Sequence, residues 1–186
     1  MSEKILLLLM ELFAIAGRGS AEDEMARRKM EEEFLGLTLS IEKAKEYLTF
    51  YDTCVQKYHR DELGKEDGDA LRTSQALDIC SDLIGVLSQK QKIVVIVRLI
   101  EYVHVAKTRS DQELTFLRIV YKALKIDSEE YEQIFHLVAT ISIYLVLVSD
   151  NEIMKRNYFK IRSIFHLDPT GFEQEEVCDL HNFRPE

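Results

Sequence analysis

No proline interrupts the first 168 residues of this 186-residue chain, because its two prolines are Pro169 and Pro185. Proline lacks a backbone donor and clashes with the preceding turn, so its absence leaves that stretch free to be written as helix. Start signals recur along it. Ser20 precedes Asp23, Ser88 precedes Gln91, Ser110 precedes Glu113, and Asp127 precedes Glu130. Each pair sets a short oxygen-bearing side chain three residues before an acid or amide, as a capping box requires. Four such pairs, each followed by periodic apolar residues, predict an all-α fold of helical hairpins packed into a bundle.

The clearest helix follows Ser40. Ile41, Ala44, Leu48, Tyr51, Val55 and Tyr58 recur at spacings of three and four, with charged residues between them. "HRDELGKEDGDA" is polar and aperiodic and reads as a loop. A helix from about residue 70 to residue 87 then carries Leu77, Cys80, Leu83, Ile84 and Leu87 on one side. "KIVVIVRLIEYVHVA" is apolar nearly all round and is expected to be a central, buried helix. "ISIYLVLV" at 141–148 has strand-like composition in helical surroundings, and we read it as helix.

The copy number of these units comes from an internal repeat. "LMELFAIAGRGSAED" (residues 9–23) and "LIEYVHVAKTRSDQE" (residues 99–113) agree at a constant offset of 90 in Leu9/Leu99, Glu11/Glu101, Ala16/Ala106 and Ser20/Ser110. Asp23 and Glu113 then fall together as the acids of two capping boxes. A further echo relates residues 123–133 to residues 164–174. Repetition on this scale means one supersecondary unit used more than once. It also decides between two readings of "EKILLLLMELFAIAG". An export signal should have a positive leader and an uninterrupted apolar core, whereas here Glu3 offsets Lys4 and Glu11 sits inside the run. We expect the first helix of a cytoplasmic fold.

Composition narrows the function. A net charge of −9 disfavours general nucleic-acid binding and adhesion to an anionic membrane, which both need clustered Lys and Arg. No apolar run reaches the roughly 20 residues that span a bilayer. Cys54, Cys80 and Cys178 are odd in number and lack metal-site spacing, so Cys54 and Cys80 are expected as small buried residues in a reducing compartment. His59, His104, His136, His166 and His181 never pair at helical spacing; His104 and His136 are read as structural core or boundary residues. No nucleotide-binding loop, zinc-protease or nucleophile-elbow motif is present. We therefore assign no catalytic, cofactor or metal-binding residue and no cofactor. The run "EDEMARRKMEEEF" allows local pairs Asp23 with Arg27, Glu24 with Arg28 and Lys29 with Glu33, and is read as a solvated helix face, the sharper alternative being an acidic docking surface.

The segment "KQKIVVIVRLIEYVHVAKTRSDQELTFLRIVYKALKID" resembles the tellurite-resistance TerB family. In that family an apolar helix ends in an Ala-Asp-Gly turn, a capped helix with an early Glu follows, and the unit is repeated. The resemblance covers roughly residues 4–136, extending to 178 if the third echo is counted. It implies metal-ion sensing or resistance, or assembly with membrane-associated or ATP-driven partners. "EKILLLLMELFAIAG" and "LSQKQKIVVIVRLIEY" are most similar to copies appended to the N-terminus of larger bacterial proteins, some of them ATP-binding cassette proteins. The family's turn acid is missing from both copies. Ala16-Gly17-Arg18 and Ala106-Lys107-Thr108 stand in its place, and only Glu24 and Glu113 match the following Glu. Removing oxygen ligands and adding Arg18, Lys107 and Arg109 works against a hard cation.

These readings give residues 1–148 as a TerB-like domain with repeats at about 4–58 and 70–138, and 149–186 as a further hairpin or C-terminal extension. The expected function is a non-catalytic cytoplasmic regulatory or protein-interaction module with a protein partner, the alternative being a metal sensor using Glu24 and Glu113.

Overall fold

The computed structural model describes residues 3–17, 20–36, 39–60, 68–106 and 110–147, which form seven α-helices and contain no strand. α1 (Glu3–Ala16) buries Leu6, Leu9, Met10, Leu12, Phe13 and Ile15. Side chains of this size, fully removed from water, each contribute about 2 kcal/mol. α1 lies along α3 (Ile41–Arg60) and also meets α4 (Gly68–Ile84), α5 (Gln89–His104) and α6 (Asp111–Ala123), so the opening segment is the hub of the bundle. Its one central polar residue, Glu11, sits at the rim, where the Tyr58 hydroxyl donates to it at 2.6 Å and Lys57 Nζ lies 3.6 Å away.

α5 is the second core helix, burying Val94 through Ile100, Tyr102, Val103 and His104, as its all-round apolar sequence requires. The two hubs organise two triplets. α1, α2 (Ala21–Gly36) and α3 form one, and α5, α6 and α7 (Ser128–Leu147) the other, with the first helix of each packed on its third. α4 stands between them against α1 and α6.

The starts follow the sequence signals. At Ser20 and Ser110 the two halves of the box match closely: the Asp23 and Glu113 amides donate to the serine hydroxyls at 3.2 Å each. The serine amides donate back to the acids at 3.1 and 2.9 Å. Ser88 and Gln91 close a full box on α5, while Asp127 caps α7 by accepting from the Glu129 and Glu130 amides. The end of α6 is a Schellman turn in which Ile126 N–H donates to Tyr121 O and Lys125 N–H to Lys122 O. It places Lys125 at φ 57, a conformation usually left to glycine.

Three expectations are corrected. Ile41 is 71% and Leu77 43% exposed, so neither joins the core face of its helix; Tyr47 and Ile79 are buried on α3 and α4 instead. His136 is exposed on α7, its ring edge-on to Phe135, and is not a core residue. Residues 141–147 are helical, in keeping with the sequence reading. Val148, the echo at 164–174, the 149–186 extension and Cys178 lie outside the described residues.

Candidate functional site

α2 carries the unusual chemistry of this molecule. Its apolar anchors, Phe34 and Leu35, are buried at its C-terminal end. Stepping back along the same face by helical intervals reaches Glu31, Arg27 and Asp23. All three are buried, at 1%, 0% and 3% exposure. The charge run is therefore not simply a solvated face, because one side of it points into the core.

Arg27 is the centre. Its Nη2 donates to Glu113 Oε1 at 2.5 Å across the two triplets, and its Nε donates to the Tyr102 carbonyl at 3.4 Å. The guanidinium carbon lies 5.4 Å from the Tyr102 ring centroid, where the ring's negative face favours a cation. Glu113 Oε2 meanwhile accepts from the Ser110 amide and hydroxyl at 2.9 and 3.1 Å. Both oxygens of Glu113 are thus held, one by each half of the molecule. A buried ion pair of this kind is costly to break and only weakly stabilising when intact.

Tyr102 fills the space beside it. Its hydroxyl and that of Tyr51 are 2.7 Å apart, and its ring is 5.4 Å from Phe13. A Cβ on Gly17 would come within 2.6 Å of the same hydroxyl, so the α1–α2 connection needs glycine where it crosses Tyr102. Burial drives the Tyr102 phenol far above its usual range, and Tyr51 likewise, so both stay neutral hydrogen-bonding groups. On the other side, Arg98 Nη1 donates to Glu101 at 2.7 Å, and its guanidinium lies 4.6 Å from the Phe34 ring.

Glu31 lies among these groups and differs from them: neither of its carboxyl oxygens has a hydrogen-bond partner among the described residues. Desolvation raises its pKa to about 7, opposed by Arg98 and reinforced by Glu101.

The residues singled out from sequence separate here. Glu113 is in this centre. Glu24 is half-buried on the first turn of α2, beside the capping acid Asp23. Arg28 reaches out of α2 to Asp52 at 2.9 Å and to Glu32 at 3.9 Å, tying α2 to α3 on the outside. His104 is buried, with Nδ1 2.8 Å from the Ile100 carbonyl and its ring edge-on to Phe135, a structural histidine as expected. Cys54 and Cys80 are buried free thiols. Arg18, Lys107 and Arg109 lie outside the described residues. Arg98 and Tyr102 were not singled out from sequence, and Arg27, Glu31 and Tyr51 were read only as parts of a charge run and an apolar stripe, although the register of Phe34 and Leu35 places Arg27 and Glu31 on the buried face.

The donor set does not fit a metal ion. Glu113 is occupied by a guanidinium and a cap, Asp23 Oδ2 by the amide and hydroxyl of Ser20. Among the described residues no three His, Cys, Asp or Glu side chains gather. A surface cleft of about 210 Å³ opens nearby, between α4 and α6, lined by Arg72, Thr73, Asp111, Thr115, Phe116 and Ile119 among others. Arg72 is anchored there by donating to the Tyr58 carbonyl. Leu77 shares the Thr73 face of α4, one turn on, and Leu71 adjoins Arg72; both are exposed. Among the described residues no helix is long and apolar enough to cross a membrane.

No family model, characterised protein or solved structure matches this chain.

Proposed function

We propose that this chain is a TerB-like, non-catalytic module that regulates or recruits a protein partner in the bacterial cytoplasm, as the front part of a larger transport or stress-response protein. One observation carries the reading: the matching acids of the two repeats, Asp23 and Glu113, are engaged as helix caps, and Glu113 is also the partner of Arg27. With those acids held inside, recognition falls to the surface. The α4–α6 cleft combines apolar lining from Phe116 and Ile119 with the charged Arg72 and Asp111, the mixture that a protein interface uses, and Leu77 is exposed one helical turn from Thr73.

Affinity capture with the full chain, followed by Leu77→Glu and Thr115→Arg, tests this. A retained protein should be lost with either variant while the helical circular dichroism is unchanged. Retention indifferent to both changes would refute the cleft. Calorimetric titration with calcium, zinc and manganese addresses the tellurite-resistance type of metal sensor. Micromolar binding abolished by Glu24→Ala or Glu113→Ala would replace the module by that sensor.

A further inference from the structure

Glu31 has the burial of a core residue and the chemistry of a surface one. Its carboxyl is 1% exposed, and neither oxygen finds a donor among the described residues. The groups that face it from each neighbouring helix have other commitments. From α5, Arg98 is paired with Glu101 and lies against the Phe34 ring. Also from α5, the Tyr102 hydroxyl is bonded to Tyr51 of α3. On α2 itself, Arg27 is paired with Glu113 of α6. Of the charged groups around it, Arg98 favours the ionised carboxyl and Glu101 opposes it, and burial outweighs both. An ionised Glu31 would place a negative charge in a dry interior, which is far costlier than a neutral carboxylic acid there.

We propose that Glu31 is a proton-operated latch, seated neutral between α2, α3 and α5 at acidic pH and loosening α2 from its neighbours when it ionises. This device does not depend on what the module binds.

The direction follows from linkage. The pKa of Glu31 in the folded chain, about 7, lies above the ordinary glutamate value of 4.5, so the folded state holds the proton more tightly than the unfolded state. Its contribution to stability is level below the ordinary value, falls as pH rises between the two, and is level again above about 7. Paired carboxylates behave in the opposite sense, gaining stability as pH rises through their lower range. Arg98 limits the effect and Glu101 enlarges it. Raising the pH from about 4.5 to about 7 thus weakens the seat of α2.

The test is thermal unfolding of the full chain from about pH 5 to about pH 8, with Glu31→Gln, a neutral isostere, alongside. The wild-type midpoint is expected to fall by roughly 5–10 °C relative to the variant over that range. Parallel midpoints would overturn the latch. Hydrogen exchange on the wild type alone supplies a second reading that needs no substitution. After correction for intrinsic chemistry, protection of α2 amides relative to α1 should fall as pH rises, and a constant ratio would also overturn it.

Discussion

α2 and α6 occupy the same place in the two repeats, begin with the same capped turn, and bury opposite chemistry. At the constant offset of 90, Arg27 corresponds to Leu117 and Glu31 to Tyr121, and all four are buried. α6 fills its positions conventionally, with Tyr121 stacked on Tyr131 of α7 at 4.0 Å and an interplanar angle of 12°. α2 places a guanidinium and a carboxyl there. The hairpin geometry evidently tolerates either content, but with different dependencies. Apolar side chains gain from any well-fitting neighbour, whereas a buried arginine needs one particular acid at one particular distance. That acid, Glu113, belongs to the other repeat. α2 is therefore tied to the other copy through one ion pair, while Arg98 of α5 reaches back only onto the Phe34 ring of α2.

Breaking that dependence should have the largest effect. Glu113→Ala removes the acid that Arg27 pairs with and half of a capping box, so urea unfolding should show a loss of about 3–5 kcal/mol. Adding Arg27→Leu, the residue type α6 itself uses, should restore much of it. A single-variant loss under about 1 kcal/mol would mean that the two helices are energetically alike after all. A medium effect separates the caps from what lies behind them. Ser20→Ala and Ser110→Ala should each cost about 1 kcal/mol, because the hydrogen bonds match. Unequal losses in denaturant titrations would show that the starts of α2 and α6 are not equivalent. The smallest effect concerns the far end of α6. Lys125→Gly relieves a left-handed residue and should raise stability by up to about 1 kcal/mol, read as a higher midpoint in urea.

The helical fold was legible because its signals are local. Capping serines, apolar spacing and missing prolines act within a few residues, and the structure returns each start within two positions. That "EKILLLLMELFAIAG" is a helix was legible too, through the repeat, but not that it is the hub of the bundle. Exposure at single positions was less so: Ile41 and Leu77 are apolar and in phase, yet face water, because a helix at the edge of a bundle has only part of its stripe covered. The buried charges of α2 were legible only in part, for a physical reason. Spacing of four pairs Arg27 locally with Asp23, and it gives no sign of the ion pair that Arg27 makes with Glu113, 86 residues along the chain. Sequence periodicity carries no information on partners that far away. What it did contain was the phase set by Phe34 and Leu35, which projects Glu31 and Arg27 inward whatever their charge.

The two buried thiols give the molecule an optical handle of its own. Cys54 sits in α3 and Cys80 in α4, and burial pushes their pKa values to about 11 and about 12, Glu11 adding to the effect at Cys54. Only thiolate attacks disulfide or maleimide reagents readily, so both should stay silent while the helices are seated. Each then reports the opening of its own helix, one inside the charged triplet and one in the spacer, and the order in which they become modifiable would reveal which part of the bundle gives way first.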